Sequence, residues 1–211
     1  MSIADIRKEY KLKSLGEQDV DLDAIDQFTI WWNDALDSNI DEVNAMTLAT
    51  ASKEGIPSAR IVLLKGYDKD GFVFYTNYNS QKGKEIAENN NATILFFWKE
   101  LERQVNIKGT IEKVSEQESD EYFYIRPAAS RIGAWSSPQS AVISSRKVLE
   151  ENEIKFREQY GNDAPRPPHW GGYRLKPHTI EFWQGRESRL HDRLLYTPQE
   201  NGGWKIERLA P

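Results

Sequence analysis

The sequence predicts a mainly β, α+β fold: one domain built as an antiparallel barrel with helices laid against it. Three observations lead there. About eight or nine short segments rich in β-branched and aromatic residues recur along the chain. The helical stretches among them do not alternate with strands as a parallel βαβ sheet requires. No Pro/Gly/Ser-rich linker divides the 211 residues into halves of different composition.

A charged arm, residues 1–20, is expected to precede a single domain over 21–211. Asp23 to Asp37 places Ile25, Phe28, Trp31, Trp32, Ala35 and Leu36 at spacings of three and four, an amphipathic helix that covers the barrel. Strands follow at Met46–Ala51, Ala59–Lys65, Phe72–Asn77, Thr93–Trp98 and Gln104–Val114. Turn signals at Lys53-Glu54-Gly55 and Asp68-Lys69-Asp70-Gly71 join the first three as hairpins of a meander. Ser80 caps a short helix to Asn89, and Ser115 with Glu118 forms a capping-box pattern opening a helix through Arg126. A third helix is expected from near Pro138, through Val148 and Phe156, to Gly161. After the break at Pro165–Pro168 come strands at Gly172–Leu175, Thr179–Trp183, Leu190–Tyr196 and Trp204–Leu209, the last two joined at Asn201-Gly202-Gly203.

Composition narrows the chemistry. With no cysteine, thiolate nucleophiles, disulfides and iron–sulfur clusters are excluded, so redox chemistry would need a bound cofactor. A net charge of −5 argues against bulk attraction to nucleic acid or to an anionic membrane. Met1 to Leu12 lacks an uninterrupted apolar stretch, so a cytoplasmic location is expected. His169 and His178 fall at expected loop and turn positions, and three scattered histidines predict no metal site.

Neither Gly-x-Gly-x-x-Gly nor a Walker-type loop is present, so a phosphorylated ligand would need side-chain cations. In Arg60-Ile61-Val62-Leu63-Leu64-Lys65, alternation sends Arg60, Val62 and Leu64 to one face; an ordinary strand with snorkelling ends has the same pattern. Tyr75-Thr76-Asn77 followed by Ser80-Gln81-Lys82-Gly83-Lys84 brings hydroxyl, amide and ammonium donors to a helix start. That suits an anion pocket, and equally a capped helix with solvated lysines. In a strand, Arg189, His191 and Arg193 would share one face, either around an anionic ligand or on a solvated edge.

Glu181-Phe182-Trp183-Gln184-Gly185 followed by Arg189-Leu190-His191-Asp192-Arg193 resembles the signature of pyridoxine/pyridoxamine 5'-phosphate oxidases. Supporting segments are Arg60–Lys65, Tyr75-Thr76, Leu101-Glu102-Arg103-Gln104-Val105, Ile132-Gly133-Ala134-Trp135, Gln139-Ser140 and the closing Trp204–Pro211. The resemblance implies an FMN-binding split β-barrel, homodimeric, with flavins between subunits. It implies oxidation of pyridoxine or pyridoxamine 5'-phosphate by O2 to pyridoxal 5'-phosphate in vitamin B6 metabolism, with hydride passing from C4' to flavin N5 and hydrogen peroxide released.

By the same resemblance the flavin phosphate falls to Arg60, Lys82, Thr76, Gln139 and Ser140. Its ring falls to the strand Ile61, Val62, Leu63, Leu64, with Lys65, Tyr75, Gln104, Trp183 and Arg193 also in the cofactor set. The substrate phosphate falls to Lys65, Tyr122, Arg126 and Ser130. Arg189 and His191, the implied catalytic pair, cover the pyridine ring together with Leu190, and the mobile arm Arg7-Lys8-Glu9-Tyr10 closes over it. One departure is Gln81, where relatives carry a cation; an uncharged amide predicts weaker FMN retention by about 1 kcal/mol. Two other functions remain: a flavin reductase or haem- or F420-type binder of the same fold, for which Tyr122 and Arg126 have no purpose, and a single-strand nucleic-acid module, which the acidic charge disfavours.

Overall fold

Asp23 opens the first helix, α1 (Ala24–Asp37), by accepting from the backbone N–H of Ile25 and Asp26 at 2.8 and 3.3 Å. The computed structural model describes residues 2–5, 9–200 and 202–211. Of the apolar stripe the spacing predicts in α1, Ile25, Phe28, Trp31 and Ala35 are buried and Trp32 is half-buried, whereas Leu36 at the helix end is exposed; Phe28 sits 4.9–6.1 Å from the rings of Tyr67, Phe72, Phe96 and Trp98. This helix packs against the barrel core.

The strands are β1 (Ala45–Ala51), β2 (Pro57–Leu63), β3 (Gly66–Asp68), β4 (Gly71–Asn77), β5 (Asn91–Trp98), β6 (Arg103–Lys113), β7 (Trp170–Gln184), β8 (Asp192–Pro198) and β9 (Trp204–Arg208). Among the described residues they form one sheet of antiparallel pairs in the order β2-β1-β5-β6-β7-β4-β3, with β8 on β7 and β9 on β8. The first three expected strands are therefore not a simple meander. β1 and β2 do form a hairpin, but β4 pairs with the short β3 and with β7. The connection after β2 crosses between the two edges, Leu64 N–H donating to Asn44 O at 2.9 Å and Lys65 N–H to Val73 O at 2.8 Å, which curls the sheet toward closure.

The largest correction concerns β7. Gly172–Leu175 and Thr179–Trp183, expected as separate strands, belong to one 15-residue strand, and Lys176-Pro177-His178 is no turn. Pro177 lies opposite Gly109, where the register with β6 shifts by a bulge, a place that tolerates a residue without an N–H. A Cβ on Gly109 would collide with the Lys176 carbonyl. Beyond β6, β7 pairs with β4 along its first half and with β8 along its second.

Helices α2 (Gln81–Glu88), α3 (Glu116–Ile125), α4 (Ala128–Ser136) and α5 (Lys147–Tyr160) flank the sheet. Ser80 and Ser115 cap α2 and α3 as expected, their Oγ atoms accepting from Gly83 N–H at 3.3 Å and Glu118 N–H at 3.0 Å. α4 has no counterpart among the predicted helices; it restarts after Pro127, and its Trp135 packs on Phe156 and Tyr160 of α5. α5 begins nine residues later than Pro138, because Pro138–Arg146 is a loop with Ser140 at φ +70°. No helix among the described residues is long and apolar enough to cross a membrane.

Candidate active site

β4 delivers Thr76 and Asn77 to the start of α2, where the fully buried Ser80 donates to Asn77 O at 2.7 Å. Lys82 Nζ lies 3.3 Å from Thr76 Oγ1 and 3.1 Å from Gln139 Oε1, and Thr76 Oγ1 donates to the same Gln139 oxygen at 3.1 Å. Burial lowers the Lys82 pKa, and repulsion from Arg60 adds to it. Arg60 is held from β1 and β2: it donates to Leu48 O (3.1 Å), Thr50 Oγ1 (2.6 Å), Ser58 Oγ (2.5 Å) and Glu85 Oε2 (3.1 Å). Glu85, 7% exposed, also accepts from Thr50, from Ser58 at 2.6 Å and from Gln81 at 2.9 Å. Though burial alone would raise it, these donors hold the Glu85 carboxyl at about 2.

Beside this cluster stands a second. Tyr75, Tyr122 and Trp170 stack with near-parallel rings, Tyr75 and Tyr122 at 4.0 Å and Tyr75 and Trp170 at 5.6 Å. Lys65 Nζ reaches within 6.0 Å of the Tyr122 ring, and the Arg126 guanidinium lies 4.5 Å over Trp170. Arg126 Nη1 is buried without a hydrogen-bond partner, and desolvation lowers the pKa of the group. Arg126, Ser130, Gln139 and Trp170 line a cleft of about 270 Å³, and Gln139 and Ser140 also line a neighbouring cleft of about 770 Å³. Gln139 thus touches both clusters.

A third group occupies the far end of β7. Pairing aligns Gln104, Trp183 and Arg193 in one row across β6, β7 and β8. Arg193 donates from Nε to Glu181 Oε1 at 2.7 Å, which raises its pKa, and from Nη1 to Ala210 O at 2.9 Å. The expected alternation of Arg189, His191 and Arg193 on one strand face does not occur. β8 starts at Asp192, and Glu187–Arg189 is a 3-10 turn in which Ser188 and Arg189 have φ +55° and +62°. Arg189 and Leu190 are exposed, while His191 is tethered by its Nδ1, which accepts from Arg186 N–H at 3.1 Å. That bond leaves the neutral-ring proton on Nε2. Desolvation, with Arg189 nearby, lowers the His191 pKa. Its ring lies 4.6 Å from Trp183 and 5.9 Å from Tyr10.

Of the remaining candidates, Ile61 is exposed, Val62 and Leu63 are half-buried and Leu64 is buried. Lys65 lies beyond the end of β2. Glu9 is exposed and pairs with Lys11 at 3.0 Å, whereas Arg7 and Lys8 lie outside the described residues. Trp170 and Glu85 are the contributors that sequence reasoning missed, and Glu181, present in the motif, has no role assigned by it. Glu85 had a signal, four residues after Gln81 on the same helical face; Trp170, isolated after prolines, had none.

Within one chain the first two clusters do not meet the third. Trp170 and Trp183 stand near opposite ends of β7, and thirteen residues of strand span roughly 40 Å.

The pyridoxamine 5'-phosphate oxidase family profile matches residues 32–160, and one described as the pyridoxine 5'-phosphate oxidase C-terminal dimerisation region matches 170–211. Proteins named pyridoxine/pyridoxamine 5'-phosphate oxidase from Paraburkholderia phymatum and Burkholderia mallei are 60% and 58% identical to this chain, over 100% of it and 99% of each relative. Among solved structures, PhzG from Burkholderia lata, in complex with tetrahydrophenazine-1-carboxylic acid, is 32% identical with a TM-score of 0.88, covering 95% of this chain and 99% of that one. A pyridoxamine 5'-phosphate oxidase-related, FMN-binding protein from Nostoc punctiforme, 19% identical with a TM-score of 0.68, covers 94% of this chain and 100% of its own, and speaks to the fold.

Proposed function

The chain belongs to the pyridoxamine 5'-phosphate oxidase family, and on that premise we propose that it oxidises pyridoxine or pyridoxamine 5'-phosphate with O2 to pyridoxal 5'-phosphate, using FMN and releasing hydrogen peroxide, with ammonia also released from the amine. The observation that carries the substrate choice is the Lys65–Tyr122–Arg126–Ser130 cluster, where a desolvated guanidinium with an unpartnered Nη1 faces a small cleft. A half-buried cation with an unpartnered nitrogen is stabilised by an anion.

FMN fits the residues present. The start of α2, with Ser80, Lys82, Thr76 and Gln139 converging, suits its phosphate. Trp183, Gln104 and Arg193 present a row suited to the edge of a flat ring. Bound FMN supplies the hydride acceptor that oxygen regenerates. The protein's part is position and charge. Arg126 and Lys65 fix the substrate phosphate, and His191, neutral with its proton on Nε2, donates a hydrogen bond to the substrate while Arg189 orients it.

Because β7 separates the clusters, a complete site needs the phosphate end of one protomer and the ring end of another. A homodimer with sites between subunits answers that need, and the match of residues 170–211 to a dimerisation region supports it. The 58–60% identity to the oxidases favours a phosphorylated substrate over a tricyclic carboxylic acid of the kind bound by PhzG.

The test is anaerobic bleaching of the yellow holoprotein. Pyridoxine 5'-phosphate should bleach it quickly and unphosphorylated pyridoxine far more slowly; equal rates would remove the phosphate cluster from the proposal. Arg189→Met should stay yellow and lose most turnover, and unchanged kinetics would exclude Arg189 from the reaction.

A further inference from the structure

We infer that Glu102, Asp192 and Gly185 form a dock for the N-terminal arm, and that this dock sets substrate affinity by fixing Tyr10 beside His191 and Trp183. The inference rests on the reading that Arg189 and His191 face the substrate. None of the three dock residues has a role in the flavin or substrate sets, although each lies in a segment that carries the family resemblance.

The arm is anchored by the buried Leu15 and by carboxylates. Lys11 and Leu12 are exposed, so that stretch buries little apolar surface of its own. Their backbone N–H groups instead both donate to Glu102 Oε2, at 2.8 and 3.2 Å. Glu102 is 3% exposed and sits at φ +54° just before β6. Three residues on, Leu15 N–H donates to Asp192 Oδ2 at 3.1 Å, while Arg208 donates to Asp192 Oδ1 at 2.7 Å, to Leu15 O at 3.0 Å and to both Glu17 oxygens. Backbone groups at 11, 12 and 15 are thereby pinned to two acids on the β6 and β8 side.

The pinned segment ends on Tyr10. Its ring stands edge-on to Trp183 at 5.7 Å and to His191 at 5.9 Å. Gly185 makes the seat: a Cβ there would come within 2.7 Å of Tyr10 Cγ. Asp192 also accepts from Arg186 Nη1 at 3.2 Å, and the Arg186 backbone N–H holds His191 Nδ1. The acid that holds the arm therefore also braces the loop that aims His191. Glu102, Asp192 and Gly185 are positioning residues: they touch the arm and its seat.

Glu102→Ala and Gly185→Ala, made in the full-length holoprotein, attack the dock from opposite sides. Each should raise KM for pyridoxine 5'-phosphate about tenfold and leave kcat within about twofold, the scale of one charged hydrogen-bond site. The flavin spectrum should not change. Trypsin cleavage after Lys11 and Lys13 should accelerate by a similar factor, and Glu102→Gln, which keeps an acceptor oxygen, should restore most of both. Removing residues 1–13 should raise KM at least as much as Glu102→Ala, and adding Glu102→Ala to the shortened chain should add nothing. Unchanged cleavage in both variants would remove the dock; faster cleavage with unchanged KM would remove its control of affinity. If Glu102→Ala fails to fold, Gly185→Ala alone decides. A wild-type protein that does not respond to the substrate would defeat the functional reading, while the trypsin comparison would still report on the dock.

Discussion

At the α2–α4 end of the molecule, burial lowers the pKa of Lys82 and Arg126, and Arg126 Nη1 has no partner. At the β7–β8 end, Arg193 is hydrogen-bonded to Glu181 and its pKa is raised. At the first end Lys82 and Arg126 have no carboxylate partner among the described residues, a state that an anionic ligand relieves. At the other, Arg193 is neutralised within the chain by Glu181. The contrast teaches where ligand binding and folding compete for the same groups: at the phosphate end a ligand should stabilise the protein, and at the ring end the stability is already built in. Arg60 is the exception at the first end, because Glu85 pairs with it.

The largest test of this contrast is Arg193→Ala. Removing the cation strands Glu181, 9% exposed, and should cost about 3 kcal/mol of stability even without flavin, as well as releasing flavin. Thermal melts of the flavin-free protein measure the first effect and the yellow colour the second. An unchanged melt would break the comparison.

Glu85→Gln tests the exception. The Glu85 carboxyl sits at about 2 when folded against 4.5 when unfolded, so its stabilisation is complete above pH 4.5 and is lost as pH falls from there toward 2. The variant should show a flatter loss of stability across that window, by up to about 3 kcal/mol. Denaturant titrations at several acid pH values measure it, and an acid limb identical to wild type would show that Glu85 carries no such linkage.

The smallest effect belongs to Gln81→Arg. Gln81 occupies Glu85 Oε1, so an arginine there would pair with that oxygen and add a cation to the start of α2. Flavin binding should tighten by about 1 kcal/mol, roughly fivefold. A flavin titration showing no gain would mean that the phosphate end does not need the extra charge.

Local signals made α1, the β1–β2 hairpin and the caps at Ser80 and Ser115 legible in the sequence, because each depends on residues a few positions apart. β7 was not legible as one strand: Pro177 reads as a break, and only the glycine at 109, far away in sequence, makes room for the bulge. α4 was hidden by Pro127, which ends α3 and immediately precedes the next helix. In the site, the types of side chain were readable from the motif, but their geometry was not. Alternation placed Arg189 on a strand face because nothing in Glu187-Ser188-Arg189 announces two consecutive left-handed residues. The pairing of Arg60 with Glu85 and the Tyr75–Tyr122–Trp170 stack are tertiary meetings that no periodicity encodes.

The length of β7 has a consequence for inheritance. In the paired arrangement proposed above, each chain lends its phosphate end to one reaction centre and its ring end to the other. A chain damaged at one end of β7 leaves one centre of a mixed pair whole, so such an allele would be largely masked by a sound copy. A chain damaged at both ends spoils both centres and would act dominantly.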